Sequence, residues 1–408
     1  MVPLLHMPSK NIILLDISLA GHHLAFLRTF SKILLMQGHT VICIAPEVSK
    51  VADWVKKECN PATEKFSAFE YNYQPVRYTR YGKLNHTLTI LQKWKADAAL
   101  IRRIQVELHL QVDLVFFAWL DDQLASFVPP FVLDILFPFK WSGLYFHPYH
   151  LRREERILRT QAIWRDWDAI FLAKNCVAVT IHDQGIREGF EKRIRKPVMH
   201  FPETADDSPP EYEYYLAKEI REKAQGRIVV GIIGCESHKG TLTMVELVKL
   251  ADPGKYYFVF LGTLPQHTYK PVDWERLQNF IQEKRENSFF RFEPITEGGP
   301  YNAVFCTFDI PFLVYDNFIS SSNRLTKAAI FQRLVLASDN YCVGEDVKRY
   351  QLGEAIRPMQ AEAALRGLEI LTEKLKSKDL PYKQWQLYRD LNSEAKLYER
   401  FAELTGLL

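Results

Sequence analysis

The sequence predicts an α/β protein built from two doubly wound parallel sheets, one in each half of the chain. Three observations carry this. Short, continuous apolar runs of the buried parallel-strand kind recur along the chain, as at 11–16 and 228–233. Amphipathic helical stretches separate them, giving βαβ units whose crossovers are right-handed. The length of 408 residues suits two domains, at about 200 residues each.

The first half opens with NIILLD at 11–16, followed by a loop at 17–23 that carries Gly21, His22 and His23. A helix is expected over 24–37, because Leu24, Leu27, Phe30, Ile33 and Leu34 fall at helical spacing and Gly38 stands where a C′ residue belongs. A second strand, 40–45, is closed by Pro46. Strand signals recur at 113–117, 144–146, 169–172 and 177–180, with a long helix at 88–110. The stretch 66–84 interleaves Tyr71, Tyr73, Tyr78 and Tyr81 with Arg77, Arg80 and Lys83 and reads as a loop or frayed element. The basic run 152–165 contains acids and reads as a solvated helix. This domain spans 1–200.

Breakers cluster in KPVMHFPETADDSPP at 196–210, which places a linker and connecting helix at 201–225. The second domain, 226–381, has expected strands at 228–233, 257–261, 289–292, 310–314 and 334–338. A final amphipathic helix over 382–404, within a tail 382–408, is expected to pack back on the first domain. Two Rossmann-like halves put a ligand in the cleft between the carboxyl edges of their sheets.

Composition narrows the function classes. The chain is 47% hydrophobic and 25% charged, as ordinary globular proteins are, and a net charge of +3 gives no footprint for nucleic acid. Six scattered cysteines without a CxxC pair read as buried free thiols, with no metal site and no disulfide framework. The start MVPLLHMPSK lacks the features of a secretory leader. The most apolar window, 127–146, is broken by prolines and charges. A cytoplasmic protein is expected, with peripheral contact on the inner face of the membrane left open. Oligomeric state is silent.

The most informative motif is GIIGCESHKGTLT at 231–243. A strand runs into a glycine-bearing loop, then Lys239 and Gly240, then a helix opening at Thr241. Free N–H groups at a helix N-terminus with a lysine beside them suit a phosphate. This is not a Walker loop, because its glycine follows the lysine. A second donor set is expected at Ser320, Ser321, Ser322 and Asn323, which open the helix carrying Lys327.

These features, in their order, resemble the GT-B glycosyltransferases, specifically the large retaining group 1, or family 4. The resemblance covers most of the chain. It rests on the Gly21 loop, the Gly38-His39-Thr40-Val41 strand start, the Lys239-Gly240 loop, and the block FDIPFLVYDNFISSSNRLTKAAIFQRLVLASDNYCVGEDVKRYQLG at 308–353. It implies the GT-B fold, with an acceptor-binding first domain and a donor-binding second one. It also implies sugar transfer from a nucleotide-diphosphate sugar of UDP or GDP type to a carbohydrate, lipid-linked or small-molecule acceptor. The transfer would proceed with retention, without metal and without a further cofactor.

Lys239 would neutralise the diphosphate, and the 320–323 loop would contact the distal phosphate. His147, in LYFHPYHLR, stands where the family often has a cleft histidine beside the donor sugar. Gly21, His22, His23 and Asp121 are the acceptor-side candidates, each against a plain turn or packing role. Two departures stand out. The family arginine five residues before the lysine is Gly234 here, and the paired glutamates fall on Ile319 and Lys327. A lysine cannot accept hydrogen bonds from ribose hydroxyls, although Lys327 could pair with phosphate and so offset the missing arginine. The alternatives are a catalytically degenerate GT-B protein that binds nucleotide, glycan or a protein partner, and a sugar-nucleotide epimerase.

Overall fold

The computed structural model describes residues 8–60, 62–74, 79, 84–152 and 166–408. Of the tyrosine–basic segment, Tyr78, Tyr81, Arg77, Arg80 and Lys83 lie outside the described residues, as does most of the basic run, 153–165.

The chain forms two compact units: residues up to Pro202 together with Glu394–Leu408, and Glu203–Ser393. The first holds strands β1 (Asn11–Leu15), β2 (Thr40–Ala45), β3 (Phe66–Glu70), β4 (Leu114–Phe117), β5 (Trp141–Tyr145), β6 (Val179–Ile181) and β7 (Val198–His200). They join, all parallel, in the order β3-β2-β1-β4-β5-β6-β7. The second unit holds β8 (Ile228–Ile233), β9 (Tyr256–Leu261), β10 (Ser288–Arg291), β11 (Ile310–Leu313), β12 (Val335–Ser338) and β13 (Gly353–Ile356). Their order is β10-β9-β8-β11-β12-β13, again parallel. Chain order reverses between β1 and β4 in one sheet and between β8 and β11 in the other. These are the switch points at which open α/β sheets bind ligands, beyond the carboxyl ends of the strands.

The apolar runs are continuous because both faces of each sheet are covered. In β1, Ile12 and Leu14 join one core with Phe26, Leu27 and Phe30 of the helix His23–Met36. Ile13 and Leu15 join the opposite core with Trp94 and Ile101 of the helix Asn85–Glu107.

Several elements differ from expectation. The apolar stretch 169–172 is not a strand but the 3₁₀ turn Trp167–Leu172, started by Asp166, whose side chain accepts from the Trp167 N–H. β3 was hidden by its polarity, since it is an edge strand with no buried residue. β7 is only three residues long and lies inside the breaker cluster. The final helix divides into Tyr382–Leu391 and Glu394–Gly406. At the break Asn392 accepts from the Glu203 N–H at 3.0 Å and donates to Tyr388 O at 3.2 Å. The first piece belongs to the second unit and the other to the first.

In the first unit, Phe401 of that last helix is fully buried. Its ring lies 5.2 Å from Phe30, 5.2 Å from Phe116 and 4.9 Å from Phe201. Phe401→Ala should therefore cost about 3–5 kcal/mol through lost contacts and the cavity left behind. Urea unfolding of the full chain, followed by a probe in the first unit, measures this.

Candidate functional site

In the second unit the chain leaves β8 at Gly234, makes the 3₁₀ turn Ser237–Lys239, and enters the helix Thr241–Leu250 through Gly240. Both glycines have positive φ, +75° and +79°. A Cβ on Gly240 would lie 1.9 Å from the carbonyl oxygen of Val314, at the end of β11. Only a glycine allows this approach. The loop is tied to the same strand end by the Asp316 N–H, which donates to His238 O at 2.7 Å.

That seating turns the Lys239 side chain back over Gly234. The space a Gly234 Cβ would fill is 3.1 Å from Lys239 Nζ and equally 3.1 Å from Nη2 of Arg324. Arg324 is the second residue of the helix Asn323–Ile330 and lies beside Tyr301 and Tyr315. Two cations thus converge on one bare stretch of backbone. Burial holds the Lys239 ammonium below the usual lysine range, and the Arg324 charge adds to this. The nearest acid is Glu236, 2.8 Å from Lys239 and 3.3 Å from His238 Nε2. Burial works against the Glu236 carboxylate, but the hydrogen bond and charge of Lys239 outweigh it and leave its carboxyl below the ordinary range. One carboxylate against two fixed cations leaves excess positive charge next to a helix N-terminus, which is the electrostatic profile of an anion site.

The neighbouring 320–323 loop is mostly engaged within its own unit. The Ser321 hydroxyl donates to the Glu203 carboxylate, and the Ser322 hydroxyl lies 3.2 Å from that of Tyr315. Ser320 and Asn323 are half-buried. Ser322 precedes the helix without a side-chain cap on it. Lys327 requires a correction. Its buried ammonium donates to Asp206 O at 2.7 Å and to Asn302 Oδ1, with the Tyr301 and Phe331 rings beside it. Those bonds remove Lys327 from the phosphate-binding set. The second cation beside Gly234 is Arg324.

In the first unit, the candidates gather at the carboxyl ends of β1, β4 and β5. Asp16 directly follows β1 and is buried. His23 Nδ1 meets its two oxygens at 2.9 and 3.0 Å. The imidazole is stacked on Trp119, centroid to centroid 4.1 Å, and Trp119 is stacked on Phe146 at 3.8 Å. His22 instead points outward and is exposed, and Gly21, at φ +59°, makes the turn between them and the strand.

Asp121 has a positioning task. It accepts from the Phe146 and His147 N–H groups, both at 2.8 Å, and meets His147 Nδ1 at 3.1 Å. His147 is thereby held at the end of β5, next to Trp119 and Tyr149.

A group with metal-like spacing, His150, Asp166 and Asp168, lies in the same unit. Its carboxylates are taken up by Arg193, which pairs with Asp166 and, at 2.8 Å, with Asp168. A guanidinium already supplies the positive charge that a cation would bring.

No protein-family profile matches the chain, and no curated protein sequence does. Solved structures do match. A glycosyltransferase from Rickettsia africae aligns over 98% of both chains at 14% identity and TM-score 0.66. Sucrose-phosphate synthase from Thermosynechococcus elongatus aligns over 97% of this chain and 98% of its own, at 14% identity and TM-score 0.67. HepE from Anabaena, solved with UDP and glucose, aligns over 98% of this chain and all of its own, at 11% identity and TM-score 0.64. The chain has the GT-B fold. Three residues placed at these strand ends and loops, Arg324, Asp16 and Trp119, were not singled out from the sequence. Arg324 stood in plain view beside Asn323, but only the folded chain brings it to Gly234.

The Gly240 contact can be tested. Gly240→Ala combines a disfavoured φ with a clash against backbone, whereas Gly226→Ala, at φ +80° in open space, carries the strain alone. The control should lose about 1 kcal/mol and Gly240→Ala clearly more, by thermal melting of both variants.

Proposed function

We propose that the chain is a glycosyltransferase that takes a nucleotide-diphosphate sugar as donor and holds its diphosphate with Lys239, Arg324 and the N-terminus of the helix Thr241–Leu250. The observation that carries this is the convergence of the two cations on Gly234. Breaking the bond from the sugar to the diphosphate leaves negative charge on the departing oxygen. Cations and backbone N–H groups already aimed at that position stabilise the charge without reorganising. The pair performs this task with no metal in the scheme. HepE, of the same fold, was solved with UDP and with UDP-glucose, which favours a UDP-type donor here over a GDP type.

The acceptor-side groups belong to the first unit, where His147 and His23 are each held by a carboxylate. A carbohydrate, lipid-linked or small-molecule acceptor fits this reading. Retention is the outcome that the family resemblance implies.

A second reading is nucleotide binding without transfer. It is favoured by the positions where the resemblance implies paired acids: Ile319 is buried and apolar, and Lys327 is bonded elsewhere. A UDP-dependent melting shift with no consumption of any nucleotide-sugar would select it.

The leading reading predicts that UDP at about 100 times its Kd stabilises the chain by roughly 2.7 kcal/mol. Lys239→Ala and Arg324→Ala should each abolish most of that shift while melting within a few degrees of the parent without ligand. Unchanged shifts in both variants would remove the diphosphate role.

A further inference from the structure

A site made of cations alone would hold its product better than its substrate. A nucleotide-sugar carries about two negative charges on its diphosphate. The free nucleoside diphosphate carries about three near neutral pH, since a terminal phosphate loses its second proton at about pH 6. Attraction to Lys239, Arg324 and a helix N-terminus grows with each added charge. Sugar transfer would then leave the spent nucleotide bound more tightly than the donor it came from.

Glu236 stands against this. Its carboxylate lies 2.8 Å from Lys239 Nζ, the ammonium that flanks Gly234, and its side chain is 25% exposed. Its carbonyl oxygen accepts from the Lys239 N–H and from the Thr241 hydroxyl, both at 3.0 Å. Neither bond uses the carboxylate, so the acid is not needed to form the turn. His238 does not cancel its charge. That imidazole lies 3.3 Å from the carboxylate, but burial holds it below the usual histidine range, so it is neutral above neutral pH. Asp316, the further acid acting on His238, adds negative charge on that side.

We propose that Glu236 sets the specificity of this site: it weakens the hold on a free nucleoside diphosphate more than the hold on a nucleotide-sugar, so that spent nucleotide leaves once the sugar is gone. This rests on the reading of Lys239 and Arg324 as the groups that hold the diphosphate. The third charge of the product arises on the terminal phosphate, uncovered when the bond to the sugar breaks. It meets a like charge already held against the same ammonium. One added like charge within several ångströms, partly screened by solvent, weakens binding by about tenfold.

The test is isothermal titration calorimetry of the full chain with UDP and with UDP-glucose, at about pH 7.5 and low ionic strength. EDTA is included, since a divalent cation would mask the third charge. The quantity read is the ratio of the two Kd values within each protein. Contacts common to both ligands cancel in that ratio, and contacts to the sugar cancel between proteins. Glu236→Gln should tighten UDP about tenfold more than UDP-glucose. Glu236→Asp, which keeps the charge, should hold the ratio near the parental value. Both variants keep the bonds that form the turn and should melt within a few degrees of the parent. An equal gain for both ligands in Glu236→Gln, or no gain, overturns the proposal, because Glu236 then only competes for Lys239. Absence of binding by either ligand to the parent chain would instead take down the diphosphate reading itself, a result distinct from an unchanged ratio.

Discussion

The seating of Gly240 against the carbonyl of Val314 governs the geometry of the second unit's site. A Cβ would approach that oxygen to 1.9 Å, so the β8 loop reaches the end of β11 only because residue 240 lacks one. Once the loop is seated, Lys239 lies folded back toward Gly234, and the helix opens at Thr241 with no side-chain cap on its N-terminus. Gly234 completes the arrangement by leaving room for a second cation from a different helix. One backbone contact at a sheet switch point thereby brings together groups separated by ninety positions in sequence.

Charge then explains why the arrangement is poised toward an anion. Two neighbouring cations repel, and burial raises the cost of each. Glu236 relieves part of this by pairing with Lys239. Arg324 relies on the tyrosines beside it, which bring no formal charge. The first unit uses the opposite sign. Asp16 and Asp121 each hold a histidine at the carboxyl edge of their sheet, and both histidines border Trp119.

The architecture was legible in the sequence because buried parallel strands announce themselves as unbroken apolar runs. β1, β2, β8 and β9 are all of this kind. Elements that escaped do so for physical reasons: β3 exposes its edge, β7 is too short, and the run at 169–172 is buried like a strand but curls into a turn behind the Asp166 cap. Of the candidate site, the turn through Lys239 and Gly240 into the helix was legible because a strand–glycine–helix unit has a local signature. Arg324 was not, since its role depends on the register between β8 and β11. Lys327 was misjudged for a related reason. Pattern alone cannot show that Asp206 and Asn302 wait beside it.

The return of Glu394–Leu408 to the first unit bears on the order in which the molecule can assemble. The second unit is contiguous, from Glu203 to Ser393, so all its residues are available once that stretch has been made. The first unit begins earlier yet lacks Phe401, the ring that meets Phe30, Phe116 and Phe201, until the intervening unit has been synthesised. Its early segment waits on the ribosome with an apolar seat unfilled. The half that is made first is the half that is finished last.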